Sequence, residues 1–235
     1  MVEEVEQPWD NPEIKKLFGI LMDSVLEESG RGALLIATSN VDTYLTDLIN
    51  SALPKEYSNN QRDKLFKYPG PVSSLSSKIE LSYAFRLIDK RLYDNLSALR
   101  KLRNDAAHSA VKFELHELEE KLRDIYSMGD GFAYVIREMS VSALMNTKLH
   151  NVKPILDESG MTDEEKQNRL KEIFSDPKHL KMIEQQVPFW EMVIGLCLLC
   201  WLIIRAKQKL SALADTRVWS DLVKDPNKVE KHPPD

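Results

Sequence analysis

The chain is poor in the residues that build sheets and disulfide scaffolds. Glycine occurs 8 times in 235 residues. A sheet protein of this length needs more turn glycine, and it needs period-2 alternation that no segment here contains. Cysteine occurs twice, at Cys197 and Cys200. That excludes a multi-bridge framework and makes a reducing, cytoplasmic setting the expectation. The opening MVEEVEQPWD is acidic and polar, unlike a secretory signal. An excess of positive charge is also missing: 32 basic residues stand against 37 acidic ones, for a net charge of −5. A protein that coats nucleic acid through many Lys and Arg contacts with phosphate is therefore excluded, although a local basic site is not.

Long membrane-crossing runs are absent too. Met192–Ile204 carries no charge, but its 13 residues span only about 20 Å as a helix, against about 30 Å of bilayer core. Glu191 and Arg205 bracket it. Such a helix, apolar on all sides, is expected at the centre of a bundle or against a partner subunit, with no membrane involved. The two cysteines inside it read as small core hydrophobes, because no neighbouring His or Cys completes a metal ligand set. Phosphate loop, dinucleotide fingerprint, nucleophile elbow and zinc motif are all missing. No metal and no cofactor is expected.

What remains is helical. Asn11-Pro12 caps a first helix to about Glu28, and a second runs from Arg31 to about Leu53 before Pro54. A connection to Tyr68-Pro69-Gly70-Pro71 contains a short helical piece. Ser73 or Ser74 caps the next helix, which ends near Leu87, and Lys90–Ala110 follows it. Glu114–Tyr126 is amphipathic. Residues 130–147 read as helix and Asn151–Gly160 as a loop. Thr162-Asp163-Glu164-Glu165 is a capping box that opens a charged helix to Phe174. Pro177 starts a short helix to Gln186, and Pro188 opens a long one to Ala214. The domain reading is an arm over 1–10, a helical domain over 11–128, a helical extension over 129–217 and a loose tail over 218–235.

One segment departs from this apolar regularity. Leu92–Ala110 reads LYDNLSALRKLRNDAAHSA, with leucines at 92, 96 and 99, and Arg103 on the next step of the stripe. At about 100° per residue, Asn104 and His108 stand at the edge of the same face. An inward guanidinium is costly unless it is paired or used. Between Arg86 and Arg103 lie six basic residues, including Arg100 and Lys101, and two acidic ones.

Three readings are open. In the first, Arg103 is a structural clamp on a neighbouring carboxylate, Asp42 being the candidate, and His108 caps its helix. In the second, Arg103 holds a phosphodiester and stabilises transition-state charge while His108 moves protons. RNA carries its own 2′-hydroxyl nucleophile, so this chemistry needs no metal. Two such sites facing each other in a dimer would supply both base and acid. In the third, the cluster binds an anion without chemistry. Lys78 and Tyr83 can serve any of these, or be a solvated lysine and a packed ring.

Three blocks carry a resemblance. They are Arg31-Gly32-Ala33-Leu34-Leu35-Ile36 leading to Asp42; Leu65-Phe66 with Gly70-Pro71 and Leu75-Ser76-Ser77-Lys78-Ile79; and Leu99 to Ser109. Together, over roughly Leu17–Tyr126, they resemble the mannitol operon repressor family. The last block also looks like the signature of HEPN domains, with Arg103, Asn104 and His108 at the matching positions. The resemblance implies an all-α, HEPN-like bundle that usually dimerises; the additional C-terminal helices beyond about Met128 lie outside it and are expected to pack on the bundle or mediate oligomerisation. The HEPN likeness implies a metal-independent endoribonuclease of a toxin–antitoxin or defence system, with Arg103, His108 and Asn104 as its catalytic residues and RNA as substrate. Asp42, Lys78, Arg100 and Lys101 would support them. The repressor likeness implies instead a non-catalytic regulator that works through protein contacts. Its partner would be a transcription factor; the toxin's would be an antitoxin.

Overall fold

The computed structural model describes residues 7–25, 28–108, 119–126, 129 and 131–213. Among these residues the fold is all-α, with no strand. A 3₁₀ turn at Pro8–Asp10 precedes α1 (Pro12–Val25), α2 (Gly30–Ala52), α3 (Asn59–Phe66), α4 (Leu75–Ala84) and α5 (Lys90–His108). Then come α6 (Glu119–Ile125), α7 (Phe132–Glu158), α8 (Asp163–Ser175) and α9 (Pro177–Leu213).

Local chemistry sets most of the starts. Asn11 Oδ1 accepts the amides of Glu13 and Ile14 at 2.9 and 3.3 Å. Ser29 caps α2 through the Gly32 amide, and Ser74 caps α4 through the Ser77 amide. Ser58 with Gln61, and Thr162 with Glu165, form reciprocal capping boxes. Each satisfies donors that the first helical turn leaves unpaired.

Two prolines do not stop their helices, contrary to the sequence reading. Pro154 lies inside α7, which continues to Glu158 where a loop was expected. Pro188 lies inside α9, which joins the expected short and long helices into 37 residues. A proline removes one amide donor and leaves one carbonyl four residues earlier unpaired. Those carbonyls belong to His150 and Glu184, both exposed residues, where water can take the missing donor's place. Beyond Pro188 a buried anchor, Trp190, holds the helix to the core, and beyond Pro154 the side chain of Leu156 is buried.

The core is one cluster running from Ile14 to Ile204. α9 is its axis: Met192, Val193, Leu196, Cys197, Leu199 and Cys200 are all fully buried. Its most extensive packing is against α2, then α7, then α1. By length and composition α9 is apolar enough to cross a membrane, yet 83% of its most apolar window is buried inside the fold. Gly195 lets α6 approach: a Cβ there would lie 2.6 Å from the ring carbons of Tyr126. That ring is buried, and its hydroxyl donates to the Met192 carbonyl at 3.1 Å.

Candidate functional site

α5 buries the leucine stripe but continues it differently from the sequence reading. Its buried residues are Leu92, Asn95, Leu96, Leu99, Leu102 and Ala106. The stripe steps from Leu99 to Leu102 and then Ala106, so Arg103 falls beside it and is exposed. The physical reason lies at Asn95, whose Nδ2 donates to the Ile125 carbonyl. With Asn95 tied to the end of α6, the helix is rotated so that Leu102 and Ala106 face the core.

The clamp is real but uses another cation. Asp42 Oδ2 accepts from Lys78 Nζ at 2.6 Å, and the lysine side chain is only 5% exposed. Lys78 is therefore neither solvated nor auxiliary. It sits on the first turns of α4 and closes the α2–α4 contact. The second Asp42 oxygen, Oδ1, is buried without a hydrogen-bond partner among the described residues.

Arg103 lines a cleft of about 350 Å³ with Thr38, Ser39, Asp42, Ser73 and Ser74. Its Nη1 donates to Asn104 Oδ1 at 3.2 Å. The floor of the cleft includes the capped start of α4, which has no acidic residue in its first turn. Helix N-termini carry partial positive charge and favour anions. Next to it, Arg100 Nη1 donates to Ser76 Oγ at 2.9 Å. Two guanidinium groups of α5 thus stand beside the serine-rich start of α4, and the carboxylate in the same cleft is neutralised by Lys78.

The other proposed residues are not all gathered here. His108 is exposed in the last turn of α5 and does not line the cleft. Lys101 is exposed on α5 and also lies outside it. Tyr83 stacks on Tyr93 with ring centroids 4.5 Å apart, further towards the start of α5. Of the remaining histidines, His150 is exposed on α7, and His179 pairs with Asp176 at 2.9 Å. His116 and His232 lie outside the described residues. Among the described residues no group of His, Cys, Asp and Glu is arranged to hold a metal ion.

Sequence reasoning missed the burial of Lys78 and Asn95. The signal for Lys78 was its helix register: Lys78 neighbours the buried Ile79 and stands four before buried Ser82. No family model matches the chain, and neither the curated proteins nor the solved structures contain a match.

Proposed function

We propose that the protein is a HEPN-like, metal-independent endoribonuclease acting on single-stranded RNA. The observation that carries this reading is the freedom of Arg103. Lys78 neutralises Asp42, so the exposed arginine is not consumed in holding the bundle and faces an open cleft at the start of α4. A phosphodiester there would meet the guanidinium of Arg103, steadied by Asn104, and the positive end of α4.

In the reaction the 2′-oxygen forms a bond to phosphorus as the bond to the 5′-oxygen breaks. One His108 takes the 2′-hydroxyl proton, and a protonated His108 gives a proton to the leaving 5′-oxygen. The products are a 2′,3′-cyclic phosphate and a 5′-hydroxyl end. Because His108 lies outside its own chain's cleft, the reading requires a homodimer whose interface brings both His108 side chains to one phosphodiester held by Arg103.

The same exposed position of His108 favours the second reading, a mannitol-repressor-like regulator in which α5 meets a protein partner and no chemistry occurs. Incubation of purified protein with single-stranded RNA in excess chelator separates the two. Cleavage with cyclic phosphate ends, lost in both His108→Ala and Arg103→Ala, is the expected result. RNA left intact by a folded, dimeric wild type would end the nuclease assignment.

A further inference from the structure

At the other end of α5, about 20 Å from Arg103 along the helix, two cavities adjoin. The first, about 480 Å³, is mainly apolar, with Trp9, Phe132, Val135, Leu198 and Trp201 in its wall. The second, about 660 Å³, carries Arg86, Arg205, Lys209 and Lys90, the last paired with Asp94, and Asp89 is the one acid among the described residues that line it. Asp89, Leu92 and Leu202 line both, so the two spaces lie side by side. Each lies within the usual range of small-molecule sites, about 300–1,000 Å³.

A further observation gives this region a purpose beyond packing, the backbone of Arg86. Its φ is +58°, and it occupies the left-handed position after α4. The Arg86 amide donates to Tyr83 O at 2.9 Å and the Leu87 amide to Ser82 O at 2.8 Å, which is the Schellman closure of a helix. Glycine takes that position without strain. Here an arginine holds it, at a cost in stability, and its side chain lines the basic cavity.

We propose that the adjoining cavities together bind a single-chain amphiphile with an anionic head, a long-chain carboxylate or alkyl phosphate. The alkyl tail occupies the apolar cavity between α5, α7 and α9. The head lies among Arg86, Arg205 and Lys209. Apolar walls beside a cationic mouth fit this chemistry better than a bare phosphate, which would leave the first cavity unfilled. They fit it better than a neutral hydrocarbon too, which would leave the cations unused. The site is independent of Arg103 and His108.

The test is titration of the full chain with dodecanoate and with dodecyl phosphate, both below micelle formation. Dodecanol, dodecyltrimethylammonium, acetate and inorganic phosphate serve as controls. Tryptophan fluorescence and Tm are the readouts. Saturable one-to-one binding with a rise in Tm is expected, since a ligand of the folded state stabilises it. Which of the two anions binds more tightly distinguishes a fatty acid from a phosphorylated lipid.

The neutral and cationic chains should bind at least about tenfold more weakly, as the loss of one charge-assisted contact predicts. Arg205→Glu/Lys209→Glu should weaken anion binding more than either single change. Arg86→Gly should raise Tm while weakening the anion, an opposition that a purely structural arginine would not produce. His108→Ala should bind as wild type does. Equal binding of the cationic chain, a fall in Tm with every amphiphile, or full affinity in Arg86→Gly would overturn the proposal. A dimer that Arg205→Glu dissociates, with no amphiphile bound, would give the cavity to a second copy of the chain and overturn it equally.

Discussion

Lys78 Nζ lies 2.6 Å from Asp42 Oδ2, across 36 residues of sequence and between α4 and α2. The lysine is buried while the aspartate side chain is 36% exposed, so the two partners do not depend on each other equally. An ammonium taken out of water needs its counter-ion, whereas a carboxylate at the edge of a cleft can be rehydrated. Asp42→Ala should therefore cost more than Lys78→Met. The loss expected for Asp42→Ala is about 2–3 kcal/mol, below the full range for a buried pair because the aspartate is partly solvated. Lys78→Met should cost about 1 kcal/mol on the same grounds. The double variant should recover part of the sum. Urea unfolding of the four proteins gives the coupling energy, and additive losses would show that the contact contributes nothing as a pair.

Arg103 is released from structural duty by that contact, which leads to a second prediction. An exposed arginine away from caps and core changes stability by no more than about 0.5 kcal/mol when truncated. Arg103→Ala and His108→Ala should both unfold at the wild-type urea midpoint. A buried clamp would instead lose about 3–5 kcal/mol on truncation. A large loss in Arg103→Ala would return the arginine to the structural reading and remove the basis for an RNA site.

The helical class was legible because it rests on local facts: scarce glycine, clear caps at Asn11, Ser74 and Thr162, and 3.6-residue apolar spacing. The central place of α9 was legible from its charge-free run Met192–Ile204, although the helix around that run is long and apolar enough to cross a bilayer and is held inside by burial. What sequence could not supply was rotation and counter-ion choice. Leu92, Leu96 and Leu99 define a stripe that either Leu102 or Arg103 can continue. The choice fell to Leu102 through a contact between Asn95 and the Ile125 carbonyl, 30 residues away. In the same way, Asp42 had two candidate cations on different helices, and only tertiary packing selects Lys78. Pro154 and Pro188 were read by local rule as breaks, and burial of side chains beyond them overrode it.

Gly195 and Tyr126 form a tight pair whose energetics can be isolated. The missing side chain on α9 makes room for the tyrosine ring. Gly195→Ala should overpack the core and cost about 1–3 kcal/mol, even though alanine is the better helix former by about 1 kcal/mol. With Tyr126→Ala the clash disappears. In that background Gly195→Ala should become neutral or stabilising, while the single Tyr126→Ala costs about 3–5 kcal/mol. Thermal unfolding of the cycle gives the answer. A Gly195→Ala penalty that persists without the ring would mean some other contact fixes the glycine.

The thiols offer a check on the depth of α9. Both Cys197 and Cys200 are free and buried. Burial pushes the Cys197 thiol up to about 12. Cys200 is also raised far above its ordinary value, by burial and by its neighbour Cys197. The thiolate is the nucleophile, so neither should react with an aromatic disulfide reagent at pH 8 in the folded state. Both should react in denaturant. Folded-state labelling at the rate of the denatured chain would mean that α9 is not the axis of a closed core.

Glu191 sits in that core beside α7. Its Oε1 accepts from Arg137 Nη1 at 3.2 Å, and Arg137 is shared with Glu119 at 2.6 Å. Oε2 is buried without a hydrogen-bond partner among the described residues. Burial raises the carboxyl above its ordinary value of 4.5, and the pull of Arg137 does not cancel it. A carboxyl raised in the folded state binds its proton more tightly there than in the unfolded chain. Its contribution to stability is therefore greatest at acid pH and is lost as pH rises from 4.5 through the raised folded value. Glu191→Gln keeps a neutral, hydrogen-bonding side chain, and Arg137 retains Glu119. The difference in unfolding free energy, wild type minus Glu191→Gln, should fall as pH rises through that interval and then level off. Urea unfolding from pH 4 to pH 8 measures it. A difference that grows with pH would mean that the Arg137 pairing outweighs burial, and the sign assigned to this core carboxylate would be reversed.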